Sequence, residues 1–173
     1  MDLSIIIFLL GGLFLGWSLG ANDAANVFGT AVGTRMVRFK TAAIVCSIFV
    51  ILGAIISGAG TTETLGKLGA INALPGAFAA CVAAGISVYL MTKVGLPVST
   101  TQAIVGAIVG WNLYTGSATN IKVLITILGT WVLCPVIAGL IAMGFFTLTK
   151  NFLLKRKLHI IRLDAYTRTA LLL

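Results

Sequence analysis

The sequence predicts an all-α integral membrane protein with about five transmembrane or re-entrant helical segments. Three observations carry this. Of 173 residues, 59% are hydrophobic and 9% charged, and the mean hydropathy is +1.10. A soluble domain has roughly 45–50% apolar and about 25% charged residues; so few charges cannot cover a water-facing surface. The apolar residues also fall into runs of the length that a bilayer core demands, about 20 residues of helix. Finally, the Lys and Arg residues cluster between these runs with a strong bias to one side. Length alone would suggest one soluble globular domain, and the shortage of charge excludes it.

The segments, in order, are residues 3–34, 42–58, 74–91, 98–111 and 123–148. The first is almost free of charge from Leu3 to Thr34. As a continuous helix it would be about 48 Å long against a roughly 30 Å hydrocarbon core, so it must tilt, break or fold back. The polar cluster Gly20-Ala21-Asn22-Asp23-Ala24-Ala25-Asn26 is the obvious place for a break. Residues 42–58 and 74–91 read as ordinary spans, with Glu63 in an outer loop between them. Residues 98–111 are short and introduced by Gly95-Leu96-Pro97. They form either a minimal span or the second arm of a re-entrant hairpin with its tip at 95–100. Residues 1–149 therefore make one membrane unit. Residues 150–169 read as a basic cytoplasmic linker, and 170–173 as the start of a truncated further span.

Basic residues orient the chain. With the N-terminus outside, Arg35, Arg38, Lys40, Lys93, Lys150, Lys155, Arg156, Lys157, Arg162 and Arg168 lie inside, and only Lys67 and Lys122 outside. Cytoplasmic loops carry this excess. It places the protein in a cell membrane, plasma or inner, with the linker after residue 150 inside. The net charge of +8 is thus an orientation signal. No interleaving of aromatics with Lys/Arg suggests nucleic acid. Glycines at four-residue spacing (Gly12, Gly16, Gly20; Gly29, Gly33; Gly106, Gly110) read as helix-packing seams. Cys46, Cys81 and Cys134 are far apart, without His neighbours, and read as buried small side chains.

Asp23 is the only acidic residue within an apolar segment. An ionisable group at membrane depth is costly and marks a functional site by default; the plain alternative is interhelical hydrogen bonding. Asn22, Asn26 and Thr30 recur at i, i+4 and share one helix face. One carboxylate among neutral oxygens suits a sodium ion, as broken transporter helices do. This makes Asp23, Asn22, Asn26 and Thr30 the candidate sodium ligands.

A second constellation is Val98-Ser99-Thr100-Thr101-Gln102 after Pro97. Proline disfavours helix for its predecessor and Ser or Thr then caps the next helix, so free N–H groups and a positive dipole end stand beside three hydroxyls. That arrangement binds anions, although an ordinary capped helix start has the same residues. If both constellations share one site, anion and cation bind interdependently, which is the physical content of symport.

Enzyme readings fail. One intramembrane carboxylate cannot make an aspartyl protease, no HExxH occurs, and no intramembrane His stands near Ser99. Walker-type and dinucleotide loops are absent as well.

Gly20-Ala21-Asn22-Asp23-Ala24-Ala25-Asn26-Val27-Phe28-Gly29-Thr30 resembles the signature of the PiT family of cation-coupled inorganic phosphate transporters. Leu96-Pro97-Val98-Ser99-Thr100-Thr101-Gln102-Ala103-Ile104-Val105-Gly106 resembles its second hallmark. The resemblance covers the family's N-terminal half. It implies one repeat of an inverted-repeat transporter, working by alternating access as a secondary active, sodium-coupled phosphate symporter. No cofactor is implied beyond sodium as coupling ion, with protons in some members. It also implies that Ser99, Thr100, Thr101, Gln102, Asn22 and Asn26 contact phosphate. The partners implied are inorganic phosphate, sodium, the lipid bilayer and a complementary C-terminal repeat half, and a homodimer of the full transporter is among the assemblies it allows. Where the family usually has His, this chain has Gln102. A related sulfate permease shares the architecture. A membrane assembly subunit that transports nothing is the rival from another class.

Overall fold

The computed structural model describes residues 3–69, 74–151, 165 and 169. Five helices follow one another: α1 (Leu3–Gly33), α2 (Phe39–Leu68), α3 (Leu74–Lys93), α4 (Thr100–Thr115) and α5 (Ile121–Thr149). No strand occurs among the described residues. All but α4 are long and apolar enough to cross a membrane. The predicted linker from 152 onward and the final residues 170–173 lie outside the described residues, apart from isolated positions. The chain divides into two compact units, residues 1–123 and 124–173.

The first unit is built on the pairing of α1 with the α3–α4 hairpin. Phe8 meets Phe78 edge-to-face at 5.8 Å, Phe14 lies where Gly85 has no side chain, and Trp17 meets Tyr89 at 5.6 Å. Asn22 reaches Thr92 at the far end. These pairs ascend together along both helices, so α1 and α3 are parallel. A Cβ at Gly85 would stand 2.7 Å from the Phe14 ring, so glycine there lets the two backbones approach.

The chain reverses between Lys93 and Thr100. Gly95 has φ +80, its N–H bonds the Thr92 carbonyl, and the Leu96 N–H bonds that of Met91. This is a Schellman closure, which needs a left-handed residue and so favours glycine. Ser99 then caps α4, its hydroxyl accepting from the Gln102 N–H at 3.3 Å, as the sequence predicts. Helix α4 runs back along α3, until Trp111 packs on Gly76 and Gly116, at φ +69, closes the helix. Val88, Val105, Ile108, Ala80 and Ala84 fill the space within this unit.

The hairpin tip is level with Asn22. Helix α1 continues for eleven residues to Gly33, about 16 Å at 1.5 Å per residue. The hairpin therefore stops well short of the α1 terminus.

Four expectations need correction. The predicted break at 20–26 does not occur, because α1 is continuous over 31 residues. Asn22 and Asp23 find partners on the hairpin without any opening of the helix. The second concerns Glu63, which lies on α2 and not in a loop. That helix runs 30 residues, through Thr62 and Thr64, whose hydroxyls bond the carbonyls of Gly58 and Gly60. Glu63 pairs with Lys67 one turn on, a spacing that supports helix.

The predicted glycine seams are not the close contacts either. A Cβ at Gly12, Gly16, Gly20, Gly29, Gly33, Gly106 or Gly110 would meet nothing within 4 Å. Gly16, Gly20, Gly29 and Gly33 instead line an apolar groove of about 700 Å³ between α1 and α2. The glycines under pressure are Gly11, Gly69, Gly76 and Gly85. Small residues at helical spacing permit approach, but the partner decides which of them is used.

Helix α5, most of which forms the second unit, begins after Asn120, whose side-chain oxygen accepts from the Val123 N–H. None of its residues is buried. Pro135 stands inside it and removes the N–H that would bond the carbonyl four residues back. Cys134 is exposed, against expectation, while Cys46 and Cys81 are half-buried.

Candidate functional site

The two constellations named from the sequence meet at the hairpin tip. Asn22 is 3% exposed and commits its whole amide. One hydrogen goes to the Val98 carbonyl at 2.6 Å and the other to Asp23 Oδ1 at 2.8 Å. Its oxygen faces the Val98 N–H and the Thr92 hydroxyl, each at 3.4 Å. A side-chain amide offers the same donor and acceptor pair as a peptide group. Asn22 therefore clamps Val98 as a neighbouring backbone would.

Asp23 turns to the first residue of α4. The Thr100 hydroxyl lies 3.0 Å from Oδ2 and 3.2 Å from Oδ1, and Thr100 is 6% exposed. A carboxylate beside a helix N-terminus is favoured by the helix dipole. It sits there half-buried.

The remaining candidates divide. Ser99, Thr101 and Gln102 are exposed around the first turn of α4. Asn26 and Thr30 are exposed on α1, one and two turns beyond Asn22. The shared face read from their spacing is real, but the hairpin covers only its first member. Asn22, Asp23 and Thr100 are thus in direct contact, and Asn26 and Thr30 extend past the tip.

Sequence reasoning missed two residues that contact Asn22 and one buried polar residue that hydrogen-bonds none of the site. Val98 acts through its backbone, so its side-chain type carried no signal. Thr92 bonds the Val88 carbonyl at 2.8 Å and reads as an ordinary helix threonine. Ser18, one turn before Asn22, is fully buried, and its hydroxyl has no hydrogen-bond partner. A polar residue one turn from an intramembrane carboxylate could have been flagged. Far from the tip, buried Asn112 donates to Thr119 at 3.0 Å and packs on Gly69. No group of three or more His, Cys, Asp or Glu suited to a metal occurs among the described residues.

A family model described as the phosphate transporter family matches residues 19–170, beginning just before the Asn22-Asp23 cluster. The chain belongs to the phosphate transporter family. A Thermococcus kodakarensis protein named "Putative phosphate permease" is 34% identical over 91% of this chain and 41% of its own length. A Plasmodium falciparum protein named "Sodium-dependent phosphate transporter" is 33% identical over 83% of this chain and 23% of its own. Among solved structures, one titled "The sodium-dependent phosphate transporter" matches with a TM-score of 0.78 and 33% identity. That match covers 88% of this chain and 40% of the other. The chain spans about two fifths of the length of the first of these relatives and of the solved structure. The family and the matched structure are transporters, not enzymes.

Proposed function

We propose that this chain supplies one half of a membrane transporter that moves inorganic phosphate together with sodium by alternating access. Family membership and the names of the relatives support phosphate and sodium as cargo. The observation that carries the reading is the Asp23–Thr100 contact, which joins the cation element of one motif to the anion element of the other.

The chemistry at each element fits its cargo. Ser99 accepts from the Gln102 N–H, so its own hydrogen remains to donate. Thr101 adds a second exposed hydroxyl, and the amides of Thr100 and Thr101, which have no acceptor within their own helix, suit an anion. Gln102 adds an amide but no titratable group. On the cation side, the Asp23 carboxylate has room for about four contacts and receives two donor side chains. Asn22 supplies the clamp, while Asn26 and Thr30 offer oxygens on the stretch of α1 beyond the hairpin tip. Anion and cation elements one hydrogen bond apart attract each other's ligands, and the coupling is reciprocal.

In this reading α3 and α4 form a re-entrant hairpin, because their tip ends about 16 Å before α1 does. The exposed Asn26, Thr30, Thr101 and Gln102 then await the complementary repeat half, which inverted-repeat transporters place against such a site. The basic residues put the N-terminus outside and the segment after 150 inside.

Radiolabelled phosphate uptake into proteoliposomes of the assembled transporter tests this. Asp23→Asn should abolish the sodium dependence, and Ser99→Ala should weaken phosphate binding by about 1–3 kcal/mol. Sodium-dependent uptake that survives Asp23→Asn unchanged refutes the coupling role.

A further inference from the structure

We propose that the groove between α1 and α2 holds one acyl chain of an anionic phospholipid, whose phosphate rests on the loop joining the two helices. The groove has a volume of about 700 Å³ and runs along α1 from Gly16 to Gly33, about 26 Å at 1.5 Å per residue. That volume over that length leaves a cross-section of about 27 Å², whereas a helix about 10–12 Å across needs about 80 Å² or more. The space is too narrow for a further helix and wide enough for one hydrocarbon chain. Its lining side chains are apolar apart from Cys46 and Ser47, and the Ser47 hydroxyl is spent on the Ala43 carbonyl at 2.8 Å. Asn22, Asp23, Asn26 and Thr30 do not line it, so it is separate from the candidate site.

The polar end of such a lipid has a place to bind. The last groove residue on α1, Gly33, and the first on α2, Phe39, flank the loop 34–38. Arg35 and Arg38 lie in that loop and Lys40 follows on α2, all three exposed. The acids among the described residues are Asp23 and Glu63, which are engaged with Thr100 and Lys67. The three cations therefore have no acidic partner there. Arg38 is also the N-cap of α2 and makes no side-chain capping bond. Ser, Thr, Asp or Asn at that position would satisfy a first-turn N–H; an arginine leaves those amides to an anion from outside the chain. Arg35 holds φ +60, a left-handed conformation that glycine adopts freely. An arginine held there against its backbone preference points to a use for its side chain, and guanidinium groups suit phosphate. In the orientation read from the basic residues, this loop meets the cytoplasmic leaflet, where anionic lipids lie.

Native mass spectrometry of the assembled transporter in neutral detergent, titrated separately with phosphatidylglycerol and with phosphatidylcholine of the same chains, tests the proposal. Phosphatidylglycerol should bind more tightly than phosphatidylcholine by about tenfold or more. Arg35→Gly, Arg38→Gln and Lys40→Gln should each weaken phosphatidylglycerol by about fivefold, the factor for one basic residue at an anionic surface, and leave phosphatidylcholine unchanged. Arg35→Gly also relaxes a left-handed residue, so its thermal midpoint should not fall, which separates lost lipid from lost fold. At Gly29 an added Cβ meets nothing within 4 Å, so Gly29→Leu should fill the groove and weaken phosphatidylglycerol as well. Equal binding of the two lipids overturns the proposal, as does unchanged binding by the three charge variants. A phosphatidylglycerol affinity untouched by Gly29→Leu overturns it too, because the charges would then act without the groove. So does displacement of the lipid by inorganic phosphate, which would make the cluster a site for the free ion. Transport plays no part in these readouts, so this inference and the functional reading fail separately.

Discussion

Asn22→Ala removes the clamp between α1 and the hairpin tip. Its cost can be worked from the bonds. The two short contacts, 2.6 Å to the Val98 carbonyl and 2.8 Å to Asp23, each leave an acceptor without its donor. The pair at 3.4 Å is too long to count for much. An orphaned buried acceptor costs about 1–3 kcal/mol. Two would cost roughly twice that, but Asp23 is only half-buried and water can replace one donor. The expected loss is therefore about 2–4 kcal/mol. Thermal unfolding of the purified protein in detergent should show a clear fall in midpoint. Phosphate uptake should fall with it, since both the Val98 turn and the Asp23 carboxylate lose their support. Asn22→Asp should be worse, because it removes both donors and sets a second carboxylate against Asp23. An Asn22→Ala protein with an unchanged midpoint and unchanged uptake would refute the clamp.

Two further predictions probe packing and the C-terminal end of α2. Gly85→Ala puts a Cβ 2.7 Å from a Phe14 ring that is already stacked on Trp17 at 6.1 Å. Overpacking of this kind costs about 1–3 kcal/mol, and Phe14→Ala in the same chain should recover part of the lost midpoint; a neutral Gly85→Ala would contradict the close α1–α3 approach. Glu63→Gln breaks only the exposed pair with Lys67, and such pairs contribute little. Stability and uptake should both be unchanged, and a lost uptake would mean that this turn of α2 touches the ion path.

Much of the site was legible because chemistry and spacing are local properties. Asp23 stood out against its apolar segment, and Ser99 was readable as a cap from Pro97 and the three hydroxyls. The break in α1 was misread because a run of polar residues looks the same whether its partners are backbone groups or another helix. Glu63 was misread for a similar reason, since Gly60-Thr61-Thr62 has turn composition. Threonine back-bonds and an i, i+4 ion pair hold it helical.

The sequence by itself determined the membrane class, the five helical segments, the orientation signal and the two motifs. Each rests on composition or on short-range periodicity, which tertiary contacts scarcely alter. Only the tertiary structure decided that α1 and α3 run parallel, that the hairpin stops level with Asn22, and that Thr100 gives its hydrogen to Asp23. Asp23 and Thr100 are 77 residues apart in the chain. No local rule brings them together: the approach depends on glycines such as Gly85 being opposite the right ring, and on the reversal at Gly95 falling at the right height.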